Sequence, residues 1–195
     1  MSLDIETSGL NPKTCDILQF AAVIDDLSNP RPIEELPKFQ THFSQSTYTG
    51  EPYALGMHPA IFKKIADAQQ KRIEENEFGD RFMSIVDLPF ALKSFLTGNG
   101  FTEEKSGRVK VTIAGKNIGM FDMPFLKKKI KNWGDITILH RVMDPAILYY
   151  QPGDLTLPDS KLCMERAGLS GEVAHTALED AIMVVKLIRH KLLKV

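Results

Sequence analysis

The sequence predicts an α/β domain in which helices pack on a mixed β-sheet. Three strand-like segments come first, at residues 2–6, 16–25 and 38–43, and the short turns between them favour an antiparallel arrangement. A helical middle follows, and the rest of the chain alternates strand, helix, strand and helix, an order that is typical of a mixed sheet covered by helices. Because the chain has 195 residues and no linker-like stretch, one domain over residues 1–195 is expected.

The first strands are indicated by alternation and by turn residues. Residues 2–6 alternate polar and apolar side chains, and the turn-forming residues 7–12 follow. Residues 16–25 form an almost continuous apolar run that Gln19 interrupts, so this strand should be largely buried. A proline-rich loop then leads to residues 38–43, which alternate again.

The remaining elements are indicated by apolar spacing, helix breakers and β-branched runs. Helices are predicted over residues 59–75, 84–96, 121–131, 158–167 and 175–193, a helical turn over 146–150, and strands within 109–114 and 135–144. In the helix over 84–96, Val86 and Phe90 are expected to face inward, together with Leu92 and Phe95. The last helix carries an apolar face that includes Ala181 and Val185.

Composition limits the class of protein. Apolar residues make up 43% of the chain, which argues against global disorder, and no apolar run approaches the ~20 residues of a membrane helix. Two cysteines and the lack of a signal-peptide pattern at the start favour a cytoplasmic protein. A net charge of −1 argues against a protein that coats nucleic acid by bulk charge. Local contact with a short piece of nucleic acid remains compatible with it.

A pair of acids lies on the first strand. Asp4 and Glu6 are two residues apart, so both carboxylates should point to the same side. Two acids on one face of a buried strand repel each other unless a cation such as Mg²⁺ or Mn²⁺ lies between them. The alternative is an edge strand with a solvated polar face.

Two further acids lie near the starts of predicted helices. Asp122 is expected near a helix N-terminus after a glycine-containing turn, where it either serves a site or simply caps the helix. Asp180 is expected in the first turns of the last helix, with His175 at its start. A surface histidine and a solvated acid are the alternative for this second pair.

Taken in order, these segments resemble a known family. Residues 4–10 (DIETSGL), 117–126 (NIGMFDMPFL) and 175–181 (HTALEDA) are similar to the three motifs of the DEDDh 3′–5′ exonucleases. This DnaQ-like group includes proofreading exonuclease subunits, RNase T and oligoribonuclease. The resemblance extends over nearly the whole chain, and a histidine in the third motif is typical of the DEDDh subclass.

The resemblance implies a fold and a set of roles. The fold would be RNase H-like, with a five-stranded mixed sheet (three antiparallel strands, then parallel strands) and helices on both faces. The roles would make Asp4, Glu6, Asp122 and Asp180 ligands of two divalent cations, Mg²⁺ or Mn²⁺, and His175 the general base that takes a proton from water. Asp144, on a later strand, is interpreted as structural.

Residues that contact the substrate are also implied by the resemblance. Thr7 would meet the sugar or phosphate of the terminal nucleotide, and Leu10 would press on its base, unless both only shape the turn. His58 would approach the terminal nucleotides, although Pro59 stands where the family more often has glycine. Asn117 belongs to the second motif, and Phe121 is placed to stack on a base.

Basic residues concentrate near the second motif. Residues 105–131 contain eight Lys or Arg residues and a single acid, Asp122. The basic side chains would either attract a nucleic-acid backbone or form a solvated helix face.

The sequence therefore favours a 3′–5′ exonuclease that acts on single-stranded DNA or RNA ends and releases nucleoside 5′-monophosphates. One alternative is a weakly active or inactive nucleic-acid-binding or polymerase-associated module on the same fold. Another is an endonuclease of the wider RNase H-like group. DNA and RNA are not distinguished, and the resemblance also leaves room for a homodimer or a polymerase or repair partner, with no membrane role.

Overall fold

The computed structural model describes residues 1–77, 79–169 and 176–194. Six strands are present in these ranges: β1 (Ser2–Thr7), β2 (Ile17–Val23), β3 (Lys38–Phe43), β4 (Arg81–Met83), β5 (Val109–Val111) and β6 (Ile136–Ile138). Seven α-helices accompany them in the same ranges: α1 (Pro52–Met57), α2 (Pro59–Lys71), α3 (Leu88–Gly98), α4 (Asp122–Lys129), α5 (Ala146–Tyr149), α6 (Ser160–Arg166) and α7 (Ala177–Leu192).

The main sheet has four strands in the order β1-β2-β3-β4. The β1–β2 and β2–β3 pairs are antiparallel and the β3–β4 pair is parallel, so the sheet is mixed as predicted. The register slips between Glu6 and Thr7, and Leu18 of β2 falls in the resulting bulge.

The predicted five-stranded sheet is not found in this form. β5 and β6 make a separate parallel pair, and the two sheets meet at Ala114, whose N–H donates to Met1 O and whose carbonyl accepts from Leu3 N. This seam is short because the chain turns away at Gly115. β4 and α1 were not predicted: β4 has only three residues, and α1 begins at a proline in a stretch without helical periodicity.

Helices cover both faces of the main sheet. On one face, Leu88 and Leu92 of α3 and Phe125 of α4 pack against Ile5 and Phe20 in the largest core cluster. Burial of such side chains contributes about 1.5–3 kcal/mol each.

The opposite face of the sheet is covered by α7 and α2. Ala181 and Val185 of α7 pack on Val23, while α2 packs on Leu18 through Ile61 and Ile65.

The inward face predicted for residues 84–96 is confirmed at Leu92, which is buried, and at Phe95, which packs against the core. It is wrong at Val86 and Phe90, which are 73% and 79% exposed, and Leu88 and Leu96 are buried instead. The reason is the helix start: residues Ile85–Asp87 form a 3-10 turn, and α3 begins at Leu88 with Pro89 in its first turn. This later start rotates the buried face. Among the described residues, none of the helices combines the length and the apolar character that a membrane span requires.

Candidate active site

β1 and α7 bring three acids together. Asp4 and Glu6 lie opposite Ala21 and Gln19 of β2, on the sheet face that α7 covers, while Ile5 points into the largest core cluster. Asp180 comes from the first turn of α7. One carboxylate oxygen from each of Asp4, Glu6 and Asp180 lies within 4.8 Å of the others.

Asp122 stands beside this group and is tied to β1. It is the first residue of α4, is buried, and accepts a hydrogen bond from Ile5 N–H through Oδ1 at 3.2 Å. Two residues earlier on the same strand edge, Leu3 N–H donates to Ala114 O. After Ala114 the chain leaves the edge, and the Asp122 carboxylate takes the position of the next carbonyl. The second motif is thus attached to β1 between Asp4 and Glu6.

Burial and mutual repulsion perturb these acids. Burial raises the pKa of Asp4 well above its usual range, and the charges of Asp122, Asp180 and Glu6 raise it further. Burial, then Asp180 and Asp122, raise the pKa of Glu6 to about 7. Burial also raises the pKa of Asp122 to about 7, although hydrogen bonds from backbone N–H groups, including that of Ile5, oppose the shift.

This donor set fits divalent cations. The carboxylates are hard oxygen ligands, which suit Mg²⁺ and Mn²⁺. Burial first, and then the neighbouring negative charges, disfavour the ionised carboxylates, and a cation among them would offset both effects.

The start of α7 is held by a buried glutamine that sequence reasoning did not assign to the site. Gln19 accepts a hydrogen bond from Ala177 N–H through Oε1 at 3.1 Å, and its Nε2 lies 3.3 Å from Nε2 of the buried His42. Thr176 caps the helix by accepting from Glu179 N–H and donating to the Glu179 carboxylate. In the sequence, the signal for this role was that the polar Gln19 interrupts an otherwise apolar strand.

His58 also reaches the acids. It lies between α1 and α2, is buried, and places Nε2 at 3.6 Å from Oε2 of Glu6. Pro59 is the first residue of α2 and is compatible with this placement, since proline is favoured at the first helical position.

The loop after β1 is shaped by internal hydrogen bonds. The Thr7 hydroxyl donates to Gly9 O at 2.8 Å, and Leu10 N–H donates to Glu51 Oε1 at 3.2 Å. Thr7 is buried, whereas the Leu10 side chain is 74% exposed. The structure therefore leaves Leu10 open to a ligand and uses the Thr7 hydroxyl within the loop.

The other predicted substrate residues lie in the turn before α4. Asn117 has a left-handed backbone conformation (φ 53°), and its N–H donates to the Asp144 carboxylate at 2.8 Å. Asp144 also accepts from Ala146 N–H, in line with its interpretation as structural. Phe121 is half-buried, and its ring centre lies 5.3 Å from that of the buried Phe125. His175 lies outside the described residues.

Comparison with solved structures identifies similar folds. E. coli exonuclease I in complex with a dT13 oligonucleotide aligns with a TM-score of 0.60 at 17% identity over 99% of this chain and 41% of that chain. The fold is shared with exonuclease I. A product-bound exonuclease I (TM-score 0.58, 17% identity, 99% and 43% of the two chains) and the enzyme from Methylocaldum szegediense (0.57, 16%, 99% and 40%) align similarly.

The likeness covers nearly all of this chain but less than half of each exonuclease I structure. The chain spans about two fifths of the length of these structures. No protein-family model and no curated protein matches the sequence.

Proposed function

We propose that the chain is a metal-dependent 3′–5′ exonuclease of the DEDDh type, whose activity resides in one domain over residues 1–195. It would hydrolyse the terminal phosphodiester bond of single-stranded DNA or RNA and release nucleoside 5′-monophosphates. The observation that carries the proposal is the convergence of Asp4, Glu6 and Asp180 from two distant segments within 4.8 Å. Asp122 joins them through its bond to Ile5 N–H.

Four carboxylates would hold two divalent cations, Mg²⁺ or Mn²⁺. When bound, the cations would lower the pKa of a water molecule and neutralise charge on the phosphate and the leaving oxygen. Ile5 N–H orients the Asp122 carboxylate, and Gln19 holds the helix that presents Asp180.

Two histidines would complete the site. His58 faces Glu6 at 3.6 Å, so it can restrain that carboxylate or reach a bound nucleotide. His175 is proposed as the general base on the strength of the motif alone, because an imidazole has a pKa near neutrality and titrates where water must lose its proton.

The substrate would be a free single-stranded end. Leu10, in the loop that follows β1, offers an exposed apolar side chain, which suits contact with an unstacked terminal base without reading its identity. Three of the similar exonuclease I structures carry dT13, dA16 or 5cy-dA13 oligonucleotides, and this supports a single-stranded ligand for the present chain.

A labelled-strand assay tests the proposal. Single strands labelled at the 5′ end should shorten from the 3′ end in Mg²⁺ or Mn²⁺ and remain intact in EDTA. Asp4→Asn should lower the rate at least about 100-fold, because it removes a ligand oxygen and a charge from the centre of the cluster. Lys161→Gln, an exposed change in α6, serves as the control. Internal cuts, activity in EDTA or a wild-type rate for Asp4→Asn would contradict the proposal.

A further inference from the structure

A cavity separate from the acidic cluster lies on the side of the molecule formed by α4, β6 and the segment after β6. It has a volume of about 470 Å³. Met123 and Ile136 contribute apolar lining, and both are buried. Its wall includes Lys127 of α4 and His140, which follows β6. The helix that begins with Asp122 therefore lines this cavity as well, through other residues.

The ionisable side chains that line this cavity are all basic. Arg108, Lys127, Lys131 and His140 line it, and no acidic residue is among its described lining residues. The cavity beside α2 differs, because its lysines are mixed with Asp67, Glu75, Glu77 and Asp80. Within the described ranges, no salt bridge involves Lys127 or Lys131, whereas Lys129 of the same helix pairs with Asp16 at 2.7 Å. Lys127 and Lys131 thus remain available to an anionic ligand.

One cation of the cavity is held in a fixed orientation. Arg108 donates from Nε to the Thr137 hydroxyl at 2.9 Å and from one terminal nitrogen to Ile136 O at 3.0 Å. These bonds leave its other terminal nitrogen for a ligand. A guanidinium restrained in this way loses less side-chain entropy when it binds a phosphate.

An indole completes the cavity. Trp133 lines it and packs in part against the core, which restrains the ring. A groove that combines cations with an aromatic side chain is the arrangement that proteins use for single-stranded nucleic acid: the cations follow the phosphates and the ring stacks on a base. An acidic peptide would use the cations but has no planar base to match the indole.

We propose that this cavity binds the sugar-phosphate backbone and a base of single-stranded nucleic acid, apart from the acidic cluster. The site deepens the proposed exonuclease and rests on that function, since it would hold the strand behind the end that is cut. Binding itself requires neither metal nor hydrolysis, and so it can be tested separately.

The only tryptophan in the chain reports on the site directly. Trp133 is the single Trp, so a dT20 oligonucleotide added in EDTA at low salt should quench or shift the tryptophan fluorescence. Oligoglutamate of the same charge should have no effect. Quenching without hydrolysis in Mg²⁺ would support the cavity and contradict the proposed function; hydrolysis without any change in Trp133 fluorescence would overturn the cavity.

Lysine variants test whether the cations bind phosphates. Lys127→Gln/Lys131→Gln should weaken dT20 binding about three- to tenfold and reduce the slope of log K against log salt by about 0.7 for each phosphate that is no longer neutralised. Lys161→Gln/Lys186→Gln removes the same charge from exposed positions of α6 and α7 and should leave both quantities near wild type.

The comparison of the two double variants decides the proposal. If both double variants lost dT20 affinity equally, the binding would depend on the overall charge of the protein, and the proposed site would be overturned. Quenching of Trp133 by oligoglutamate but not by dT20 would also overturn it, in favour of an acidic protein partner. Unchanged urea midpoints for both variants would exclude loss of the fold as the cause.

Discussion

At the scale of single residues, the acids of the site are destabilising when no cation accompanies them. The pKa of Glu6 rises from its ordinary 4.5 to about 7, mainly through burial. A carboxyl whose pKa is higher in the folded than in the unfolded chain favours folding while it is protonated. That stability is present below about pH 4.5 and is lost as the pH rises towards 7. The pKa values of Asp4 and Asp122 are shifted in the same direction.

The metal-free protein should therefore lose stability as the pH rises from about 4.5 to about 7, and Asp4→Asn should lose less. We expect the free energy of unfolding of the variant to exceed that of wild type by about 1–3 kcal/mol at pH 8, because the substitution removes one of the repelling charges. Urea unfolding in EDTA at several pH values measures this difference. Parallel pH profiles for the two proteins would contradict it.

Cation binding should reverse this trend. At pH 8 Mn²⁺ should raise the wild-type urea midpoint, because binding to the folded state alone stabilises it, and it should raise the midpoint of Asp4→Asn much less. At pH 5 protons compete for the same oxygens, so the wild-type gain should shrink.

At the scale of elements, what the sequence could predict depended on whether the pattern was local. The apolar spacing of α7 predicted a face that includes Ala181, Val184 and Val185, and all three are buried. Leu192 was expected on the same face but is 49% exposed, because it is the last residue of the helix. In the helix over 84–96, Leu92 and Phe95 were predicted on the correct face. Val86 and Phe90 were not, since a 3-10 turn and a proline shifted the start of the helix. Gln19 could be noticed as an anomaly in an apolar strand, but its partner Ala177 lies 158 residues away and only the fold brings them together.

The Gln19 contact predicts a coupling between β2 and the acid on α7. Gln19→Met keeps the length of the side chain but removes the acceptor for Ala177 N–H and the contact with His42. It should cost about 1–3 kcal/mol of stability, since a buried N–H is left without its partner. It should also weaken Mn²⁺ binding, because the first turn of α7 presents Asp180.

A neighbouring glutamine provides the control for this coupling. Gln40→Met on β3 removes a hydrogen bond to Asp80, an acid outside the group formed by Asp4, Glu6 and Asp180. It should lower stability without changing Mn²⁺ affinity in isothermal titration calorimetry. If Gln19→Met loses stability and keeps wild-type Mn²⁺ affinity, the glutamine only supports the fold.

At the scale of the whole molecule, the site depends on a seam between two sheets. The sequence order predicted strands of both orientations, and the resemblance implied one five-stranded sheet. The structure divides the strands into four and two, joined through Ala114. The β-propensity of the residues could not show this division. The number of residues that pair between the two sheets depends on where the chain turns away from the sheet edge, and not on how strongly its residues favour strands. The same turn carries Asp122 to Ile5 N–H.

Gly115 lies at this seam, and its substitution should damage both the fold and the site. A Cβ there would come within 2.8 Å of Leu3 O and of the Ile118 side chain, and the backbone oxygen cannot move without parting the sheets. Gly115→Ala should cost about 1–3 kcal/mol and weaken Mn²⁺ binding by displacing Asp122. In Gly119→Ala the new Cβ would meet only Val142 at 3.7 Å, so that variant should remain near wild type. Urea unfolding and Mn²⁺ titration of both variants measure the effect. Equal behaviour of the two would mean that the seam tolerates expansion and that Asp122 is positioned by α4 alone.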